Sequence, residues 1–453
     1  MCIRDSDSLT PFGGLVPWAA YTKHIGIIER LAADCPVKRT SPNAAPIYDV
    51  LQSFMLTALT DGRRFSHIER LREDPTIPEI FGMESVVGDD TVRRFFKSVD
   101  PALGAEWIAR NAEPMWRALP EPIIMDWDST VQPKYGHQDG AEVGYNPGKP
   151  GRRSFHPLLG VIAHTRLCPA YRFRAGDTVT ATEWHEAMHD AQRWLGERKV
   201  WLNRGDLGLG HDAIMSWHEE SVERPKYLFK LKLTNLVCAA LCRVREEAWQ
   251  GAARHEACQV AEGRLQLTGW KTARRVIFAR TLLGVLRAPE NAEFWDRHKH
   301  EFAVYVTNLP ESFNPWQIQQ LYRERADTEN VFDELKNQWG FSGFCAKSRA
   351  TTELAARLLL LVYNLWVLFV RFIVPQKHTE AKRGRRWFLL IAARLVQSGR
   401  QKEMQVSISG GWADQLRTGY TRITEWLRTT APQLKYRMTA DDHDLANVAP
   451  STP

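Results

Sequence analysis

The spacing of hydrophobic residues changes near residue 115 and divides the chain into two parts. Before that point, apolar residues recur every three or four positions in YTKHIGIIERLAA, IYDVLQSFMLTALTD and TVRRFFKSV. This period is that of an amphipathic helix. We therefore predict a helical N-terminal domain over residues 1–115.

From residue 119 the pattern shifts to short apolar runs that alternate with amphipathic segments. The strand candidates are IIMDWDST, HPLLGVIAH, AYRFRAG, KVWLNRGD and YLFKLKL, and the helix candidates are TATEWHEAMHDAQRWL and AIMSWHEESV. Three strands, a helix and a fourth strand follow one another, which predicts an α/β fold of ribonuclease H-like order. Residues 116–235 are assigned to the first part of this core.

The next stretch, 236–300, contains QLTGWKTARRVIFAR, which alternates like strands and is interpreted as a β-rich insertion. FAVYVTNL at 302–309 is predicted to return to the core, whose second part spans 301–400, before a C-terminal tail over 401–453. The run LLLLVYNLWVLFV at 358–370 has 13 residues. Because a membrane span needs about 20, we predict a buried helix packed on the sheet, with no membrane partner.

Residues 315–336, PWQIQQLYRERADTENVFDELK, form the most informative segment. Asn314 is a good N-cap and Pro315 suits the first helical position, so a helix is predicted to begin here. At about 100° per residue, four side chains share a stripe about 60° wide on this helix: Tyr322, Arg325, Glu329 and Lys336. The alternative interpretation is an ordinary solvent face with an accidental pattern.

Composition adds constraints on class and compartment. The 453 residues, 44% of them hydrophobic, suffice for several domains with a real core. The net charge of +7 is mild but fits a polyanionic partner. Seven cysteines, an odd number, argue against a disulfide framework and fit a reducing cytoplasm. No secretory signal is evident, and the opening MCIRDS resembles translated adaptor sequence.

The spacing Y-x2-R-x3-E-x6-K in 322–336 resembles the Y-R-E-K signature of DDE transposases from bacterial insertion sequences, with a match at all four positions. The resemblance implies that Glu329 is the third metal-binding carboxylate. It places Tyr322, Arg325 and Lys336 near DNA phosphates at the transposon end. It also implies that the helical N-terminal region binds the terminal repeats. A helical scaffold with solvated arginines is the alternative there.

The first aspartate of this family follows a strand in a D-x-T pattern. In EPIIMDWDSTVQP, alternation places Asp126 and Asp128 on one face of the strand. The family pattern falls on Asp128, so we take Asp128 as the ligand and Asp126 as its neighbour. A strand-end turn in which Asp128 only caps backbone amides is the alternative.

The second aspartate lies in KVWLNRGDLGLGHDAIMSWHEE. Asp206 leaves the strand at its carboxyl end, where α/β sheets place their sites, and the resemblance carries the second ligand onto it. Asp212 competes, but is expected to cap a helix or face solvent. Asp128, Asp206 and Glu329 are thus the predicted catalytic and metal-binding residues. Their oxygens suit Mg²⁺ or Mn²⁺, and two ions are expected.

A glycine- and proline-rich basic loop, GYNPGKPGRRS, follows the first aspartate and resembles the loop of one subgroup of these transposases. It carries Lys149, Arg152 and Arg153. Arg152 and Arg153 are predicted to contact DNA, because basic side chains beside an active site hold backbone phosphates. A flexible solvated hairpin is the alternative.

One group of cysteines and a histidine suggests a rival site. Cys238 and Cys242 are four residues apart, and His255 and Cys258 follow, so that thiolates and an imidazole recur at zinc-like spacing. The C-x2-C pair of a zinc knuckle is absent, and Cys238 lies in the apolar run LVCAALC. We therefore predict buried cysteines without metal.

Together the motifs predict a DDE transposase that cuts double-stranded DNA at inverted repeats and transfers the strand into target DNA. The resemblance implies a homodimer in the synaptic complex and a bacterial cytoplasmic location. Two alternatives remain open. One is a related metal-dependent nuclease without strand transfer. The other is a domesticated DNA-binding protein that no longer cuts.

Overall fold

The computed structural model describes residues 9–116, 119, 121–252, 255–286, 297–398, 401–407 and 412–429. The opening MCIRDS segment and the C-terminal ADDHDLANVAPSTP lie outside these residues.

The first part of the chain is helical, as predicted. A two-residue strand β1 (Leu9–Thr10) precedes seven helices: α1 (Leu15–Ile25), α2 (Ile27–Ala33), α3 (Ile47–Leu59), α4 (Glu69–Arg72), α5 (Thr76–Phe81), α6 (Asp89–Ser98) and α7 (Pro101–Ala112). The start of α7 shows how the sequence sets a boundary. The Asp100 carboxylate accepts the amides of Ala102 and Leu103 at 2.9 and 3.1 Å, and Pro101 occupies the first helical position.

A mixed sheet forms the centre of the molecule. Its strands between residues 123 and 230 are β2 (Ile123–Ser129), β6 (Leu158–Ile162), β7 (Leu167–Arg172), β8 (Val200–Gly205) and β9 (Lys226–Lys230). They lie in the order β7-β6-β2-β8-β9. The pairs β2–β6 and β6–β7 are antiparallel, whereas β2–β8 and β8–β9 are parallel. Helices α8 (Trp184–Leu195) and α9 (Asp212–Glu219) connect the parallel strands, so the predicted order of elements is present.

A small second sheet branches from the end of β2. It contains β3 (Gln132–Pro133), β4 (Glu142–Val143) and β5 (Arg153–Phe155), in the order β3-β5-β4. Only two residues separate β2 from β3. The small sheet is therefore attached directly to the carboxyl edge of the central sheet.

The segment predicted as an insertion continues the central sheet. After helix α10 (Asn235–Cys242) come β10 (Gln250–Ala252), β11 (His255–Leu265), β12 (Arg274–Leu286) and β13 (Arg297–Thr307). Strand β13 pairs antiparallel with β9, which makes a nine-stranded sheet in the order β10-β11-β12-β13-β9-β8-β2-β6-β7. Residues 274–280 and 302–307 are confirmed as strands, whereas residues 266–273 form the turn between β11 and β12.

The prediction of buried cysteines is only partly right. Cys258 is buried on β11, but Cys238 is half-buried and Cys242 is exposed. The reason is that α10 lies on the surface and buries only Val237. The side chain of His255 lies outside the described residues. The six described cysteines are all free.

The segment from 315 begins as predicted but is not one continuous helix. Asn314 caps α11 (Pro315–Arg323) in a capping box with Gln317, and α12 (Ala326–Gln338) follows after a turn at residues 324–325. The carbonyl of Leu321 accepts the Arg204 guanidinium, and the Arg325 amide bonds to the Tyr322 carbonyl at 3.1 Å instead. A side chain from the sheet thus takes the acceptor that would have continued the helix.

The long apolar run forms the central helix. Helix α13 (Arg349–Ile373) is long and apolar enough to cross a membrane by length and composition, but 89% of its apolar stretch is buried inside the fold. Asn364 binds the Cys168 amide and carbonyl on β7 at 2.8 and 3.0 Å, so the predicted packing on the sheet is confirmed. The last described elements are α14 (Ala381–Gly384), β14 (Ala393–Ser398), β15 (Gln401–Val406) and α15 (Ala413–Thr429).

Candidate functional site

Asp126 and Asp128 lie on the same strand but have different partners. Asp126 is 1% exposed, and Arg204 on β8 binds its two oxygens at 2.6 and 2.8 Å. The Thr328 hydroxyl adds a third hydrogen bond at 3.0 Å. Buried carboxylates are stable only when paired and hydrogen-bonded. Asp126 is therefore fully engaged in holding β2, β8 and α12 together.

Asp128 lies at the carboxyl end of β2 and keeps more of its surface open. Its side chain is 22% exposed and lies 3.1 Å from Nη2 of Arg325. The Ser129 amide donates to it at 2.7 Å. Burial and the nearby charge of Asp206 raise the pKa of Asp128, and Arg325 opposes that rise. The site therefore already contains two carboxylates that repel each other.

Asp206 is the neighbour of Asp128 across the sheet. Trp127 and Gly205 are paired in the parallel register of β2 and β8, and the next residue on each strand is an aspartate. The Asp206 carboxylate accepts the Gly208 amide at 3.0 Å, which holds it in the turn after β8. Adjacent parallel strands thus bring together two aspartates that are 78 residues apart in sequence.

Glu329 lies in the first turn of α12, four residues after Arg325, and its side chain is exposed. In the part of the chain that the structure describes, no three carboxylate, imidazole or thiolate groups are gathered closely enough to hold a metal ion. The structure therefore brings Asp128 and Asp206 together. Glu329, the third residue of the predicted triad, does not form a group of three close ligands with them.

Arg325 is placed differently from the open stripe that the helical pattern predicted. It is 5% exposed, and besides Asp128 its Nη2 donates to the Trp127 carbonyl at 2.9 Å. Its Nε has no hydrogen-bond partner among the described residues. Arg325 is thus the buried counter-ion of Asp128. Its contact with DNA stays a prediction.

Tyr322 and Lys336 lie on either side of Arg325. The Tyr322 ring packs against Tyr305, with centroids 4.5 Å apart, and burial raises the pKa of Tyr322 to about 12. Lys336 is exposed. Partial burial lowers the pKa of Lys336, and Asp128 partly offsets that effect. Both residues therefore lie within the electrostatic reach of the aspartates.

Arg152 and Arg153 are exposed at the edge of the small sheet. Arg153 belongs to β5, and Arg152 lies over the ring of Tyr135, 5.0 Å from its centroid. The loop is thus open to solvent, and it connects β4 to β5 in the small sheet that follows the strand carrying Asp128.

Two residues of this site were missed in the sequence. Arg204 and Thr328 fix Asp126, and through it the positions of β8 and α12. A signal for Arg204 was present, because it is a charged residue inside the apolar strand KVWLNRGD. Such a residue needs a buried partner, and Asp126 was the acid without an assigned role.

Comparison with known proteins gives three results. The sequence matches the family described as "Transposase DDE domain group 1" over residues 4–427. No curated protein sequence matches the chain at a significant level. Among solved structures, the fold is similar to the piggyBac transposase in a cryo-EM structure of its synaptic complex with hairpin DNA. That similarity has a TM-score of 0.44 and 10% sequence identity, over 96% of this chain and 86% of that one.

Proposed function

Because the chain belongs to the family of transposases with a group 1 DDE domain, we propose that it cuts DNA at transposon ends and joins the cut strand to target DNA. The observation that carries this proposal is the pair Asp128–Asp206 at the carboxyl ends of adjacent parallel strands. Its sheet order, three antiparallel strands and then parallel ones, supports a ribonuclease H-like core. The complete Y-x2-R-x3-E-x6-K spacing supports the Y-R-E-K subclass of bacterial insertion sequences.

The residue types at the site fit a hard divalent cation. Asp128 and Asp206 offer carboxylate oxygens, which Mg²⁺ and Mn²⁺ prefer, and their mutual repulsion would be relieved by a cation. Glu329 on α12 would supply the third carboxylate. Two such ions, when bound, stabilise the charge on the attacking and leaving oxygens of a phosphoryl displacement.

The chain's own residues would then position DNA around this acidic pair. Arg325 holds Asp128 in place and is proposed to share its guanidinium with a backbone phosphate when DNA binds. Lys336 is exposed near Asp128 and offers a point charge to the DNA backbone. Arg152 and Arg153 extend this basic surface on the small sheet. We propose that Tyr322 stays packed on Tyr305 and shapes the wall of the site.

The partners proposed are double-stranded DNA with inverted repeats, target DNA and a second copy of the chain in a synaptic complex. The net charge of +7 supports a polyanionic partner. A bacterial cytoplasmic location is part of the same proposal.

The test uses a supercoiled plasmid that carries the coding sequence with its flanking DNA. Asp206→Asn and Glu329→Gln should each abolish Mg²⁺-dependent cleavage and leave DNA binding largely intact, because each removes one ligand charge and little surface. Asp333→Asn is the matched control, since Asp333 is an exposed acid on the same helix and accepts a hydrogen bond from Asn337 at 2.7 Å. Full cleavage by either ligand variant would reject this assignment of the site.

The reaction products distinguish a transposase from the alternative, a nuclease without strand transfer. A transposase joins the cut transposon end to a second plasmid, whereas a nuclease leaves free ends only. A protein that binds the flanking repeats but cuts neither plasmid would correspond to the domesticated alternative.

A further inference from the structure

The small sheet next to Asp128 exposes two aromatic rings. Tyr135 follows β3 and is 67% exposed, and Tyr145 follows β4 and is 76% exposed. They are the two exposed tyrosines of the described residues. Large aromatic side chains usually bury their rings. Two open rings on one short sheet therefore point to a ligand.

Two cations lie close to the Tyr135 ring. Lys149 Nζ lies 4.6 Å and Arg152 Cζ 5.0 Å from the centroid of the Tyr135 ring, and the Tyr135 hydroxyl also contacts Lys149. On the neighbouring strands, Arg153 of β5 pairs with Val143 of β4, and Val143 lies two residues before Tyr145. A flat ring beside a positive charge matches the two parts of a nucleotide, because the base stacks on the ring and the phosphate binds the cation.

The small sheet is anchored to the rest of the fold, although the side chains of Tyr135 and Tyr145 are exposed. The buried Lys134 donates to the Ser342 carbonyl at 3.0 Å, in the segment that follows α12. The Asp139 amide binds the Lys347 carbonyl in the same segment at 2.9 Å. A side chain at Gly144 would lie 1.8 Å from the Gly176 carbonyl oxygen, so the backbone next to Tyr145 is fixed by close packing. The rings are therefore held at the edge of the site on a rigid base.

We propose that Tyr135 and Tyr145, with Lys149 and Arg152, form a stacking platform for unpaired DNA bases beside the cut. This inference rests on the proposed function and adds to it the feature of DNA that this surface recognises. In a closed duplex the base faces are stacked on each other. The open rings of Tyr135 and Tyr145 can stack only on bases whose own stacking has been disrupted, whereas the exposed arginines bind backbone phosphates of either form.

The experiment compares two DNA probes with the full-length protein. One probe is a duplex oligonucleotide, and the other has the same sequence with a short unpaired run that contains 2-aminopurine. Tyr135→Leu, Tyr145→Leu and the double variant should each bind the unpaired probe about fivefold or more weaker than the wild type, because stacking on each ring is lost. Their affinity for the duplex should change little. The 2-aminopurine fluorescence, quenched by stacking, should recover in the double variant.

Matched variants separate ring from charge. Tyr135→Phe and Tyr145→Phe keep the rings and should bind both probes like the wild type. Arg152→Ala should weaken binding to both probes equally and lower the salt dependence, because phosphate contacts are shared by the two DNA forms. All three positions are exposed, so thermal melts should match the wild type and exclude unfolding as the cause.

Three outcomes with the leucine variants would overturn the inference. In the first, the leucine variants bind both probes as tightly as the wild type does. In the second, they lose affinity equally for both probes. In the third, they change only the sedimentation of the free protein. The last result would mark the surface as an interface between two copies. A wild type that cuts transposon ends but shows no preference between the probes would reject the platform and leave the proposed function standing. A wild type that neither binds nor cuts DNA would reject both.

Discussion

At the scale of single residues, partners decide what each acid does. Asp126 and Asp128 are two residues apart on one strand face, yet Asp126 has a fully buried arginine partner and Asp128 has a partly open surface beside a second carboxylate. A buried ion pair of this kind is costly to break because the remaining charge stays in the interior. The two aspartates should therefore respond differently to the same substitution.

Asp126→Asn should lower the free energy of unfolding by about 3 kcal/mol, because it leaves Arg204 charged and without its carboxylate in the interior. Asp128→Asn should leave the stability near that of the wild type, because it also removes the repulsion with Asp206. The same Asp128→Asn variant should lose cleavage. Urea denaturation followed by tryptophan fluorescence gives the stabilities. A stable but inactive Asp126→Asn beside an active Asp128→Asn would reverse the assignment.

Arg325 has a structural role in the described contacts and a proposed role on DNA. Arg325→Ala should melt several degrees earlier, because Asp128 and the Trp127 carbonyl lose their donor. If Arg325 also binds a phosphate, the variant should reduce the slope of log affinity against log salt by about one. Binding measured at several salt concentrations checks this. An unchanged slope together with early melting would make Arg325 purely structural.

At the scale of elements, α12 is held at both ends by buried charge. Its start is fixed through Arg204, and its last turns through Glu334, which is 0% exposed. Glu334 accepts hydrogen bonds from His378 at 2.8 Å and from the Ala381 amide at 2.9 Å, and Arg166 lies 3.3 Å away. These bonds join α12 to the β6–β7 turn and to α14. The helix that carries Glu329 and Lys336 is thus a rigid part of the fold.

This anchoring predicts a dependence of stability on pH. Burial alone would raise the pKa of Glu334, but the bonds from His378, Ala381 and Trp339 outweigh burial and lower it below the ordinary value of 4.5. A lowered pKa means that ionised Glu334 stabilises the fold above about pH 4.5, and that this stabilisation is lost as the pH falls through the lowered value.

The free energy of unfolding should therefore drop below about pH 4.5 by more in the wild type than in Glu334→Gln. Glu334→Gln should also be less stable at pH 7, because Arg166 and His378 lose a charged partner. Denaturation curves at several pH values test both points. Parallel pH profiles for the two proteins would show that Glu334 does not carry this effect.

At the scale of the whole molecule, the N-terminal helices and the sheet share one hydrophobic core. Trp18 on α1 packs edge-on against Phe369 on α13, with centroids 5.1 Å apart. Phe54 on α3 packs against Phe344, after α12, at 4.9 Å. The hydrophobic cluster extends from Leu15 to Trp426. The predicted boundary at residue 115 therefore separates two kinds of secondary structure that pack together closely.

A fragment of residues 116–429 should consequently fail to fold cooperatively, because it exposes the face of α13 that α3, α6 and α7 cover. Circular dichroism during heating should show a broad, weak transition, whereas the full chain should melt sharply. A sharp melt of the fragment at the same temperature would mean that the helical N-terminal part is an independent domain.

The sequence by itself determined the elements and the family. Helical and strand periods are local properties of the sequence. They therefore predicted the N-terminal helices, the strand order after residue 119, the Asn314–Pro315 helix start and the burial of residues 358–370. The spacing of Tyr322, Arg325, Glu329 and Lys336 sufficed for the family resemblance, which the match over residues 4–427 bears out at the level of the DDE domain.

Only the tertiary structure decided which charges meet. Periodicity gives the face of a side chain, but its partner depends on strand register and on elements far away in sequence. The pairing of Trp127 with Gly205 set Asp128 beside Asp206, and Arg204 reached across to Asp126 and to the Leu321 carbonyl, where it ended α11. The sequence likewise did not predict the exposure of α10, because an apolar run is buried only where another surface covers it.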